Sequence, residues 1–213
     1  MPRDGQFGIV GVNAGLAWSE NPCLAAQYQW AASLANPASF YVNTANPGPQ
    51  SVRWNFSGPR SCPTNAPASD AGCAYNYGWN AAQDAYRVAA AATSSGIAQS
   101  HFWWLDVELV NSWEGTPASN SQTVQGYLDY LGGRGVAGVG IYSTASQWNA
   151  ITGGQQVSVP NWVAGSRTQK SASSSCGTGF TGGDVLLVQY TAKGFDGNFA
   201  CGATLISGPG KNR

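Results

Sequence analysis

Asp106 and Glu108 stand two residues apart in the segment HFWWLDVEL, residues 101–109. In an extended strand, residues i and i+2 share a face, so the two carboxyls point the same way with Cα atoms roughly 6.5 Å apart and Val107 points to the opposite side. The preceding residues, Phe102-Trp103-Trp104-Leu105, form an apolar wall. Burial against such a wall, beside a like-charged neighbour, raises the pKa of one carboxyl, as a general acid at neutral pH requires. An acid paired with an anion is the apparatus of glycosidic cleavage. The competing reading is structural, with both carboxyls binding loop amides or an arginine at the strand end, and the spacing leaves both open. Asp196, in Gly194-Phe195-Asp196-Gly197-Asn198, is a third carboxylate, and an Asp-Gly turn is its plainer reading.

Neutral groups surround these acids in the sequence. Trp18, Trp54, Trp79, Trp113 and Trp148, with Tyr41, Tyr75, Tyr77 and Tyr142, fall in loops or near predicted strand ends, where their faces would stack on sugar rings. Trp30 and Trp104 read as core. Asn13, Asn43, Asn76 and Gln189 offer uncharged donors and acceptors for hydroxyl and acetamido groups. Only 9% of the 213 residues are charged, ten basic against ten acidic, so the chain lacks the basic footprint of a nucleic-acid binder or of a protein held on an anionic membrane. No window approaches the ~18 apolar residues of a membrane span. The first thirty residues lack a signal peptide's basic start and apolar run, and the expectation is a secreted protein whose leader has been removed.

Five cysteines (Cys23, Cys62, Cys73, Cys176, Cys201) and a single histidine, His101, give no zinc-type cluster, so no metal or other cofactor is expected. Disulfides are the better reading. Cys62 and Cys73 flank PTNAPASDAG, and Cys176 and Cys201 bracket the last hairpin-like region. Cys23 is left over and reads as a small buried apolar residue. His101, at the start of the Asp106 strand, reads as structural.

The elements that must position these groups alternate. Residues 7–13 (FGIVGVN) and 39–43 (SFYVN) read as strands, and between them LAAQYQWAASLA reads as a helix opened by Asn21-Pro22, with Leu24, Tyr28 and Ala31/Ala32 on its inner face. Residues 44–72, rich in proline and without periodicity, form a long loop. YNYGW then runs into an alanine-rich helix ending near Gly96. Strand 101–109 is followed by a helix over 120–132, a strand over 136–142, a short helix over 143–149, and strands over 161–164 and 184–190 separated only by a Ser/Gly loop. Strand–helix alternation over 213 residues, 43% of them apolar, implies a single domain with a mostly parallel sheet. No GxGxxG follows the first strand and no GxxxxGK[ST] occurs, which disfavours a nucleotide fold. The sheet is then either doubly wound or closed into a barrel, with the barrel preferred and the strand–helix alternation breaking late. Asn13, Asn43, Asn76, Asp106, Glu108, Tyr142 and Gln189 would gather at one mouth.

Taken in order, FGIVGVN, YNYGWNAAQDAY, WWLDVE, VGIYST with a following Trp148, NWVA and VQYTAKGFDGN resemble the glycoside hydrolase family 25 lysozymes and their bacterial glycoside-hydrolase-like relatives. The resemblance implies a single compact, irregular (β/α) TIM-like barrel whose later strands lack helices, with Glu108 as general acid and Asp106 as the neighbour that stabilises a cationic transition state or orients an acetamido group. It matches Asp196 to the family's acidic residue on the last strand and puts Tyr77, Tyr142 and Gln189 in the cleft. The family's first strand usually ends in aspartate where this one ends in Asn13, which removes a charge. The implied activity is a secreted, monomeric hydrolase of a β-linked N-acetylated cell-wall polysaccharide, with Asn13, Asn43, Tyr75, Tyr77, Trp79, Trp113, Tyr142 and Gln189 as candidate substrate contacts. A non-catalytic glycan-binding module and a glycosidase for another polysaccharide are the alternatives.

Overall fold

A computed structural model of the chain describes residues 5–192 and 195–202. Seven strands form one sheet in sequence order: β1 (Ile9–Gly11), β2 (Ser39–Asn43), β3 (Phe102–Asp106), β4 (Gly138–Ser143), β5 (Asn161–Ser166), β6 (Val185–Ala192) and β7 (Phe195–Ala200). Neighbours from β1 to β6 are parallel, and β7 returns antiparallel on β6. The sheet is strongly curled. Tyr41 on β2 and Trp162 on β5 lie three strand spacings apart, about 14 Å in a flat sheet, yet their ring centroids are 6.4 Å apart across the concave face. The result is a half-barrel. Pairing of β1 with β7, which would close the expected barrel, is not seen among the described residues.

Period-two alternation sorts the strands' side chains. Val10, Phe40, Val42, Trp103, Leu105 and Ile141 face the helices and make the main core, while Ile9, Tyr41, Trp104, Tyr142, Trp162 and Leu187 turn to the concave side. Asp106, two residues beyond Trp104, follows its wall onto that side. The helices are α1 (Leu24–Ala32), α2 (Ala71–Ala92), α3 (Ser95–Ser100), α4 (Pro117–Gly133), α5 (Ala145–Thr152) and α6 (Gln169–Ser174). All but α1 start on side-chain caps: Asp70 accepts from Cys73 N–H, Thr116 from Ser119 N–H with Pro117 in the first turn, and Thr144 from Gln147 N–H. The stretch 161–190 is not a plain loop between strands, because Thr168 and Ser171 form a capping box that starts α6.

Several expectations are corrected. Residues 75–79 are the second and third turns of α2, not a strand approach, because Asp70 caps the helix early and the alanine run carries it on. Cys23 is exposed at the N-cap of α1, since Leu24 takes the inward position. Trp54 and Trp148 are buried rather than at the mouth, their indole N–H groups donating to Ala66 O and Gln155 O. Both expected disulfides are present, Cys62–Cys73 and Cys176–Cys201. His101 packs on Tyr28 and Phe40 with Nδ1 at 2.8 Å from Ile97 O, a structural setting.

Helices α2 and α4 approach so closely that two glycines meet backbone. A Cβ at Gly78 would overlap Thr123 O, and one at Gly126 would overlap Tyr75 O. Carbonyl oxygens of a packed helix cannot step aside as a flexible side chain can. Gly78→Ala is therefore expected to destabilise the fold by about 1–3 kcal/mol, read as a lowered urea midpoint with an unchanged slope.

Candidate active site

A cavity of about 990 Å³ occupies the concave face. Asp106, Glu108, Tyr142, Gln189 and Asp196 all line it, joined by Tyr41, Trp162, Tyr190 and Asn198. Residues of both sheet edges, Phe7 and Ile9 beside β1 and Asn198 and Ala200 on β7, complete its walls, so the cavity runs along the unpaired seam.

The paired acids come from the C-terminal end of β3, but the strand stops at Asp106, and Glu108 stands in the segment that follows. The shared face therefore does not depend on a continuing strand. It depends on hydrogen bonds that fix successive peptides. Thr44 N–H and Oγ1 donate to Asp106 O at 3.1 and 2.6 Å. Val107 N–H donates to Tyr142 O at 2.9 Å, and Ser143 Oγ donates to Val107 O at 2.6 Å. Asn111 N–H and Trp113 Nε1 donate to Glu108 O at 3.1 and 2.9 Å. Gln147, absent from the sequence-derived candidates, accepts from Leu109 N–H at 2.7 Å and aims Nε2 at Glu108 Oε1, 3.5 Å away.

Asp106 is only 5% exposed. Asn43 Nδ2 donates to its Oδ2, while Oδ1 receives no N–H or hydroxyl donor among the described residues. Burial, then the charge of Glu108, then a hydrogen bond shared with Glu108 push the Asp106 carboxyl up to about 8. The arginine partner allowed by the structural reading is not found: among the described residues the ion pairs are those of Arg87 with Glu20 and Asp84. The two acids are a coupled unit that keeps a proton at neutrality, with Asp106 as its buried member. Tyr142 donates to Gln189 Oε1 at 2.7 Å, and its hydroxyl is held far above the ordinary tyrosine range by burial and by Glu108, Asp106 and Asp196 together. Tyr41 is raised by burial and by Asp106 and Asp196. All three carboxylates thus act on one space, Asp196 from an exposed position on β7.

The remaining candidates lie elsewhere. Asn13 and Asn43 are buried and absent from the lining, Asn13 bonding the Asn43 backbone and Asn43 reaching Asp106. Tyr75, Tyr77 and Trp79 sit on α2, outside the concave face, where Tyr75 donates to Asp129 on α4 and stacks on Trp79. Trp113 supports Glu108 from behind. Asn76 is within α2, clasping the Arg60 peptide. Sequence reasoning missed Trp162, whose Nε1 donates to Asn198 Oδ1 at 2.9 Å. Its signal was available in NWVA, since a tryptophan flanked by strand residues has one face to choose. Among the described residues no three His, Cys, Asp or Glu side chains gather as a metal-binding group, and no helix is long and apolar enough to cross a membrane.

The family model described as "Lysozyme-like protein 1" matches residues 73–174, a segment containing both Asp106 and Glu108. The fold is similar to that of a muramidase from Acremonium alcalophilum (18% identity, TM-score 0.59, covering 94% of this chain and 85% of that one). It is also similar to a muramidase from Trichobolus zukalii (18%, 0.57, 92% and 83%) and to a bacterial lysozyme from Streptomyces coelicolor (20%, 0.52, 93% and 82%). No curated protein matches the chain at the level of sequence. The family match covers just under half of the chain, and the likeness to these solved structures is one of fold.

The raised Asp106 carboxyl makes stability depend on pH. The folded state holds a proton that the unfolded state releases at the ordinary 3.8, so the contribution is complete below 3.8 and is lost as pH rises through about 8. Asp106→Asn removes the group that must ionise. The melting temperature of this variant is expected to rise relative to the parent as pH increases across that window, and a constant difference would contradict the placement of the proton.

Proposed function

We propose that the chain is a secreted, monomeric glycoside hydrolase of muramidase type, a single domain over residues 1–213 that cleaves a β-linked, N-acetylated cell-wall polysaccharide. The observation that carries this reading is the Asp106–Glu108 unit, which keeps a proton at neutral pH beside a cavity with aromatic walls. Tyr41, Tyr142 and Trp162 supply ring faces for sugars, and Gln189, Tyr190 and Asn198 supply neutral polar edges. The two disulfides agree with an oxidising compartment.

Glu108 is the neighbour that, after burial, raises the Asp106 carboxyl, which ties the two groups into one proton-holding pair. Asp106 and Glu108 therefore act together as the acid. Glu108, half-buried and the more accessible member, meets the leaving glycosidic oxygen; Asp106 is the reservoir behind it. As the glycosidic bond breaks, the one proton of the pair passes from Asp106 to the Glu108 carboxylate and from Glu108 to the leaving oxygen, so that both carboxyls end as anions. The new Asp106 anion then faces the cationic sugar, whose charge offsets the cost of ionising a buried group. Asn43 Nδ2 is placed to stabilise that anion. Asp196 or the substrate's own acetamido group is left to act on the anomeric carbon.

Glu108→Gln keeps size and loses the proton, so release of reducing ends from peptidoglycan should fall by about 10²–10⁴-fold with cell-wall binding retained. A folded Glu108→Gln variant that works at the parent rate would sink the assignment. Retention on the wall with no release by the parent identifies a binding module instead, and release only from another polymer moves the substrate class.

A further inference from the structure

Beyond Gly11, the pairing of β1 with β2 is continued by a side chain. Val12 N–H still donates to Tyr41 O at 2.9 Å. At Asn13 the side-chain amide takes over: Oδ1 accepts from Asn43 N–H at 2.9 Å and Nδ2 donates to Asn43 O at 3.2 Å. A primary amide has the donor and acceptor of a peptide unit on adjacent atoms, so it can stand in for the missing strand residue. Asn13 is 6% exposed and Asn43 8%, and neither lines the cavity. From the peptide so fixed, the Asn43 side chain extends to Asp106, Nδ2 donating to Oδ2 at 2.5 Å. Three residues on three adjacent elements thus form one line that ends on the buried carboxyl.

We propose that Asn13 is a positioning residue for the acid pair: its neutral amide clamps the Asn43 peptide so that the Asn43 side chain meets Asp106. This rests on the reading of Asp106 and Glu108 as the proton-delivering unit. The clamp needs a donor and an acceptor together. A carboxylate at position 13 offers no donor and would set a negative oxygen against Asn43 O, whereas a neutral carboxylic acid has both groups and can restore the pairing. Asparagine at the end of the first strand is therefore a working part and not a missing charge. Among the described residues, the ionisable groups that line the same cavity as Asp106 are Glu108, Tyr41, Tyr142, Tyr190 and Asp196, and none is basic.

The test compares Asn13→Ala and Asn13→Asp with the parent on peptidoglycan across pH, with near-ultraviolet circular dichroism to confirm the fold. Asn13→Ala should lower kcat by about 10- to 100-fold at every pH while KM moves by less than about threefold. Asn13→Asp should be equally impaired at neutral pH and regain activity relative to the parent's own pH profile as acidification protonates the introduced carboxyl. This rescue also supplies the answer if the alanine variant does not fold. Parent-like kcat in either variant at neutral pH, or no acid recovery in Asn13→Asp, overturns the proposal. If the parent itself shows no turnover, the functional reading fails and the clamp is read from stability. Loss of the Asn43 donor should move the pH-dependent fall in melting temperature upward in Asn13→Ala, and an unmoved fall overturns the proposal on that ground as well.

Discussion

An ionised carboxyl withdrawn from water without a basic partner is too costly to keep, and the centre of this molecule is arranged around that cost. Asp106 is buried at the end of β3 beyond the fully enclosed Trp104, with another acid as its neighbour. A retained proton is the inexpensive solution. What makes it useful is that the backbone carrying the pair does not need to move when the proton does. The carbonyls of Asp106, Val107 and Glu108 each receive donors from a different element, and Leu109 N–H is tied to Gln147. Proton transfer within the pair can then occur against a fixed frame, which is the condition for an active site whose dipoles are already oriented.

The curl of the sheet brings the other partners to that frame. Sequential parallel strands with helices on one side leave the opposite face free to close on itself, and the aromatic side chains there fill the curve edge to face. Trp162 contacts Trp104 at 5.8 Å and Tyr142 at 4.4 Å between centroids. These rings floor the space above which Asp106, Glu108 and Asp196 converge. Because β6 and β7 form an antiparallel pair, Asp196 arrives opposite Thr191, near the same end of the sheet as Asp106, although it lies ninety residues further along the chain.

Much of this was legible before any coordinates. SFYVN gives β2 without error, the alternation gives a mostly parallel sheet, and the spacing of Asp106 and Glu108 gives a pair in one pocket. The two disulfides join the cysteines that flank PTNAPASDAG and those that bracket the last hairpin-like region, a pairing the sequence suggested but did not determine. The errors share a cause. Asparagine amides look alike in sequence whether they bind a sugar or a peptide, and here they bind peptides: Asn13 clasps Asn43, Asn76 clasps Arg60, and Asn161 accepts from Phe180 and Thr181 N–H. Aromatic residues near a helix start are equally ambiguous. Tyr75 and Trp79, four apart on α2, belong to a contact with α4 that is made possible by glycines on both helices, and nothing in YNYGW distinguishes that from a cleft rim. Glu108 shows the reverse case: the strand ends before it, yet hydrogen bonds from distant elements bring it to the cavity that simple alternation predicted.

Charge economy gives the site its selectivity. The chain has ten acidic residues, and three of them, Asp106, Glu108 and Asp196, line one cavity, with no lysine or arginine among the described residues that line it. Such a field repels an anionic ligand and opposes ionisation of the tyrosines that share it, which keeps Tyr41 and Tyr142 as neutral hydroxyls. It favours a ligand that enters uncharged and becomes positive as it reacts. On the proposed reading, the Asp106–Glu108 pair and Asp196 would become a stabilising influence once cationic character develops at a sugar carbon. A surface poor in charge, neutral amides used to brace the backbone, and a concentrated acidic interior thus form one electrostatic design, in which the free energy of placing acids together is released only along the reaction coordinate.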